Sequence, residues 1–161
     1  MRTPYQVLIF PFVEEKGKYY YAIFKRKDLN IWQGIAGGGE GDEKPIETMR
    51  REAYEEASID NKSRYIRLSS LTTIPAVNIC GLKWGKKIIM IPEFAFGVEL
   101  TSRKLKISSE HTQYLWLSCD DAINKLKYDS NKSALWELDY RLKNGVLDGI
   151  EKNVQTIKKF L

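Results

Sequence analysis

The chain reads as an α/β protein, a mixed sheet packed between helices, and three observations predict it. Apolar runs of strand length come first and recur in the second half of the chain. One helical segment separates them, and further helical segments follow the last strand run. Hydrophobic residues make up 43% of the 161 positions, which argues against disorder. The length suits one domain, spanning 1–161, with a proper core.

Residues 5–13 and 19–26 are apolar and aromatic, and the Glu-Glu-Lys-Gly-Lys between them marks a β-hairpin. Asp28-Leu29-Asn30 turns the chain into a short strand, 31–36, that delivers Gly37-Gly38-Gly39. Those glycines read as a turn whose backbone approaches a ligand closely, a use that residues with a Cβ serve only with strain. The turn lacks the Gly-Lys-Ser/Thr ending of a Walker loop, and it does not read GxGxxG. A helix over 44–58 follows, with Pro45 in its first turn, Asp42 as its expected N-cap and Ile46, Met49, Ala53 and Ala57 as its apolar stripe.

Two β-rich runs, 65–76 and 87–100, surround a turn-rich segment at 77–85 that is placed to shape a pocket. Its Trp84 is a candidate for stacking on a base, against the simpler role of hairpin packing. Residues 112–117 form a strand with Tyr114 and Trp116 on one face. Ser118 caps a following helix whose first turn holds Asp120 and Asp121. A further helix over 131–143 carries Leu135, Leu138 and Leu142 at helical spacing. The tail, 145–161, is basic and weakly amphipathic, and reads either as a last helix or as a homodimer contact.

Composition excludes several classes. Cys80, Cys119 and the single histidine, His111, do not make a zinc set, and a disulfide is not expected in a cytosolic protein. The first apolar run is too short for a signal peptide or a membrane span, and Glu14 and Glu15 follow at once, so a cytoplasmic location is expected. The net charge of +5 suits a polyphosphate ligand and is compatible with nucleic acid, but no basic run exceeds Lys25-Arg26-Lys27 and no RNA-binding motif is present.

The stretch 37–59, GGGEGDEKPIETMRREAYEEASI, carries the chemistry. Glu52, Glu55 and Glu56 stand at i, i+3 and i+4, on one face of the helix. Like charges so placed repel by about 0.2–0.5 kcal/mol per pair. A hard divalent cation removes that penalty, since Mg²⁺ takes carboxylates, waters and substrate phosphate oxygens. The plainer account of the triplet is a solvated acidic face.

Gly37, Glu43, Arg51, Glu52, Glu55 and Glu56 match the signature of the Nudix hydrolases: glycine, five residues, glutamate, seven residues, then Arg-Glu-(apolar)-x-Glu-Glu-x-Gly-(apolar). Ala53 and Ile59 fill the apolar places, and Ser58 stands where that family usually has glycine. A left-handed serine costs about 1–2 kcal/mol. The helix therefore either strains at Ser58 or runs on and turns at Asp60-Asn61. Within the family, Lys25-Arg26, Trp32-Gln33 and SEHTQYLWL resemble the bacterial dihydroneopterin triphosphate pyrophosphatases, a subgroup that also lacks the glycine replaced by Ser58.

The resemblance implies an α/β/α sandwich and cleavage of a diphosphate-containing nucleotide with Mg²⁺ or Mn²⁺. By it, Glu52, Glu55 and Glu56 hold the metal, joined by a backbone carbonyl of Ala36 or Gly37, while Glu43 and Arg51 brace the loop against the helix. Lys25 and Arg26 are candidates to hold phosphates, and Trp32 and Gln33 to hold the base or pterin ring. Glu110 is the expected catalytic carboxylate from outside the signature; Glu93 and Glu99 compete for that place but read as outward-facing charges on a strand. The substrate implied is a small nucleoside or pterin polyphosphate. The alternatives are a non-catalytic nucleotide-sensing or partner-binding module, or a hydrolase of dinucleoside polyphosphates or capped RNA.

Overall fold

The computed structural model describes residues 2–77, 81 and 83–147. The tail from 148 onward, with its reading as a last helix or dimer contact, lies outside the described residues, as does Cys80. The first strand, β1 (Arg2–Glu15), is the spine of the sheet. It turns through Lys16 and Gly17, both at positive φ, into β2 (Lys18–Arg26), with Glu15 opposite Lys18. That two-residue connection is the hairpin geometry matching the natural twist of paired strands.

The expected strand at 31–36 divides in two: β3 (Trp32–Gln33), paired to β2, and β4 (Ile35–Glu40), paired antiparallel to β1. Gly34 sits at the break, where its amide donates to Asn131 Oδ1 at 2.9 Å instead of to a ladder. The three glycines are therefore strand residues of β4, and the turn comes later, at Gly41 (φ 54°).

Helix α1 (Pro45–Ala57) begins at Lys44, not Asp42. Proline at the first helical position makes the preceding residue the cap, and the Glu47 carboxylate accepts the Lys44 amide at 2.8 Å. Met49, Ala53 and Ala57 are buried as expected, but Ile46 is 47% exposed, because Thr48 takes the inward place in the first turn. The helix does not run on: Ser58 itself is left-handed (φ 54°, ψ 36°). Its amide and that of Ile59 bond the carbonyls of Tyr54 and Ala53 at 2.8 and 3.2 Å, which holds the strained residue in place.

The chain continues through β5 (Tyr65–Pro75), β6 (Met90–Glu99) and β7 (His111–Leu117), then α2 (Cys119–Lys125) and α3 (Asp129–Asn144). Ser118 caps α2, its hydroxyl accepting the Asp121 amide. The sheet is mixed: among the described strands β6 runs parallel to β1 and the other strand pairs are antiparallel, with an isolated parallel bridge between Trp32 and Leu126. Among the described residues β5 is an edge strand, and its ladder with β6 breaks between Arg67 and Leu71. There the amides of Ser69 and Ser70 donate to the Glu137 carboxylate of α3 at 2.6 and 2.7 Å, and Arg141 binds both Glu137 and Ser69.

Alternation along β1 sets the two layers. Val7 and Ile9 pack toward Met49, Ala53 and Ala57 of α1. Leu8, Phe10 and Phe12 pack toward Cys119 and Ala122 of α2 and Leu135 and Leu138 of α3. The result is a sheet between one helix and a pair of helices. Among the described residues no helix is long and apolar enough to cross a membrane.

Candidate active site

Strand β4 and helix α1 meet at Gly37 and Glu52. A Cβ on residue 37 would fall on the Glu52 carboxyl group, so the absence of a side chain lets that carboxylate lie against the strand. The next residue serves another group the same way, since a Cβ on Gly38 would strike the Arg2 guanidinium. Glycine in this strand makes room for the protein's own charged side chains.

Arg51 joins the loop to the helix. Its Nε and Nη2 donate to Glu43 Oε1 and Oε2 at 2.8 and 3.0 Å, and Nη2 also reaches the Gly38 carbonyl at 2.9 Å. Its Nη1 donates to Glu52 at 2.8 Å and Glu55 at 3.0 Å. The guanidinium holds the Glu43 carboxyl down at about 2, well below its ordinary value. One planar cation thus ties the turn before the helix, the glycine strand and two glutamates together.

The three glutamates of the triplet differ sharply in surroundings. Glu56 is buried at 3% exposure, and its Oε2 lies 2.6 Å from His111 Nε2. Burial raises its carboxyl above the ordinary value; His111 opposes that rise and the nearby charge of Glu110 adds to it. Glu52 is pushed up to about 7, by burial first and then by its neighbours Glu56 and Glu55, with Arg51 working against them. Glu55 is exposed and turned to Arg51. Among the described residues no three acidic, His or Cys groups stand as a ready ligand set, and each of the three glutamates is engaged with Arg51 or His111.

Glu52 and Glu56 line a cavity of about 710 Å³ with Ala36, Gly37 and Glu110. Arg26 and Gln33 line it too, Arg26 held by two bonds to Asp28 at 2.9 and 2.7 Å. Glu110 stands beside Arg26 because β7 starts there: His111 pairs with Arg26, and the Lys27 amide donates to the Glu110 carbonyl at 2.9 Å. Two mutually repelling carboxylates on a polar wall, Glu56 buried and Glu52 partly buried, suit a hard divalent cation, whose charge would offset the cost of withdrawing them from water.

Other expected site residues lie elsewhere. Lys25 and Glu55 are not on the cavity wall. Trp32 packs half-buried against the core cluster on the α2/α3 side of the sheet, with Lys125 Nζ 5.8 Å from its ring centroid. The Trp84 indole is occupied in donating to the Arg2 carbonyl at 2.6 Å.

Three residues on or behind the wall escape sequence reasoning. Glu93 is not an outward charge: it is 4% exposed and faces the cavity. Its parity with Ala95 and Gly97, which both face the α2/α3 layer, is the signal that places it. His111 lies behind Glu56, and no spacing in the chain connects them. Arg2 reaches the cavity from the start of β1.

Comparison with known proteins agrees with this geometry. The model of the NUDIX domain matches residues 3–137. The structure of a Listeria monocytogenes protein assigned to the Nudix hydrolases superposes with a TM-score of 0.83 and 37% identity, covering 91% of this chain and 99% of that one. The dihydroneopterin triphosphate diphosphatase of Haemophilus influenzae is 25% identical over 122 residues, 74% of this chain and 77% of the relative. The E. coli dihydroneopterin triphosphate pyrophosphohydrolase has the same fold, with a TM-score of 0.70 at 22% identity over 83% of this chain and 93% of its own. The chain belongs to the Nudix family and is a hydrolase of phosphoric anhydride bonds.

Proposed function

We propose that the protein cleaves a nucleoside or pterin triphosphate to the monophosphate and pyrophosphate, using Mg²⁺ or Mn²⁺, in the cytoplasm. The observation that carries this is the pair of carboxylates, Glu56 buried and Glu52 partly buried, on the wall of a cavity that also presents Arg2 and Arg26. The name of the Haemophilus influenzae relative supports a pterin among the substrates.

Glu52 and Glu56 would hold the metal with a carbonyl of Ala36 or Gly37, and Glu55 would join by leaving Arg51. Bound there, a divalent cation supplies charge neutralisation and a more acidic water. The chain's own groups do the rest. Arg26 and Arg2, which both line the cavity, receive the anionic phosphate oxygens. Glu110, with Glu52 as the alternative, accepts the proton that the attacking water loses. The water oxygen bonds to phosphorus as the bridging P–O bond breaks, and pyrophosphate departs. Arg51 and Glu43 act at one remove, by fixing where Glu52 sits.

A panel of nucleoside and pterin triphosphates, incubated with Mg²⁺ and read for phosphate against pyrophosphate, tests the reaction. Cleavage should stop with EDTA and return with Mg²⁺ or Mn²⁺. If no diphosphate compound is cleaved with metal present, the protein is a binding module instead.

A further inference from the structure

The cavity extends beyond the triplet, and its far side is built differently. Gln6 of β1 pairs with Gly38 of β4 on one side and with Glu93 of β6 on the other. Adjacent strands lie about 4.8 Å apart, which sets the Glu93 backbone roughly 10 Å from the glycine strand that receives Glu52. Ile74 and Pro75 of β5 and Tyr128 and Ser130 at the start of α3 line the same side.

Glu93 is the anomaly there. Its carboxylate accepts from Gln6 Nε2 at 2.7 Å and lies against the Ser130 hydroxyl. No charged partner contributes to its environment among the described residues, and burial raises its carboxyl above the ordinary value. An ionised carboxylate offers about four lone-pair sites, so two neutral donors leave it under-satisfied. A group so buried is costly to the fold unless donors complete it. The cavity faces it, so the missing donors come from what enters the cavity.

Resting on the proposed reaction, the geometry points to Glu93, positioned by Gln6, as the group that reads the substrate's ring through two adjacent N–H donors. The ring with that edge is a 2-amino-4-oxopyrimidine, present in guanine and in pterins alike: its ring N–H and exocyclic amine lie in one plane and meet both carboxylate oxygens. Adenine places a ring acceptor beside its amine, which opposes a carboxylate. Uracil offers one N–H between two carbonyls. Ile74, Pro75 and Tyr128 supply apolar surface for a flat ring. A site built around a buried hydrogen-bonding group rejects rings that leave it unpaired more strongly than an apolar slot does.

Equilibrium titrations without metal separate ring reading from catalysis. Wild-type protein should bind GMP and neopterin monophosphate about 10-fold or more tighter than AMP or UMP, and IMP, which lacks the 2-amino group, about 10-fold weaker than GMP. Glu93→Gln should reduce GMP and neopterin monophosphate binding by about 10–100-fold while AMP binding moves less than about 3-fold. Equal affinity of wild-type protein for GMP, IMP and AMP overturns the assignment without any variant, as does a Glu93→Gln protein that keeps the preference. Hydrolysis of the matching triphosphates is scored separately. Ring preference without cleavage overturns the proposed reaction alone, and cleavage without ring preference overturns the role of Glu93 alone.

Discussion

The Glu52 carboxylate occupies the space that a Cβ on residue 37 would need. A Gly37→Ala protein must push Glu52 away from β4 or shift the strand. Activity is expected to fall by about 10²–10³, the scale of losing one preorganised electrostatic contact. The spared structure should show in an unchanged far-ultraviolet circular dichroism spectrum. Wild-type turnover in Gly37→Ala would remove Glu52 from the reaction.

Glu56→Gln and Glu55→Gln separate the buried ligand from the exposed one. Each should lower kcat by about 10²–10³, measured with saturating Mg²⁺. Glu55→Gln should leave stability within about 0.5 kcal/mol, because Glu55 is a half-exposed partner of Arg51. Full activity in Glu56→Gln would defeat the metal assignment.

Glu43 makes acid stability measurable. Its carboxyl is depressed from 4.5 to about 2, chiefly by Arg51. A depressed carboxyl contributes stability that is full above the unfolded value near 4.5 and is lost as pH falls toward 2. Glu43→Gln should therefore be destabilised at pH 7 and show a shallower loss between those two values. Denaturant melts at pH 7, 4 and 3 read the difference, and parallel wild-type and variant curves would exclude the pair as a stabilising contact.

Glu110→Gln should lower kcat with little change in KM or melting temperature, the pattern of a group acting in the transition state. Glu110 is exposed and lies within reach of the charge on Glu56. An unchanged kcat leaves Glu52 as the proton acceptor.

Trp32→Ala separates ring binding from packing. Trp32 packs, partly buried, against the core cluster on the α2/α3 side of the sheet and is not on the cavity wall, so a stability loss of about 2 kcal/mol is expected, with KM little altered. A raised KM at an unchanged melting temperature would return Trp32 to the substrate.

Much of this was legible in the residues. Strand runs, the hairpin at Lys16-Gly17, the Ser118 cap and the helix bearing Glu52, Glu55 and Glu56 all follow from local pattern. Local pattern does not say what a residue faces across the sheet. Gly37 reads as a residue for a turn because glycine permits turns, whereas its use is to admit a side chain 15 positions away. Glu93 reads as solvated because carboxylates usually are, and only the pairing of β6 with β1 turns it inward. The contact of His111 with Glu56 spans 55 positions and leaves no trace in spacing.

The link between Glu137 and β5 bears on solubility as much as on the fold. An edge strand shows its unpaired amides to any extended chain that drifts past, which is how sheets fuse into aggregates. At Ser69 and Ser70 the amides already belong to a carboxylate of the same molecule, at the place where the ladder shifts register. The helix that closes the core thereby also shields the sheet's border, and a crowded solution meets a blunted edge there rather than a template.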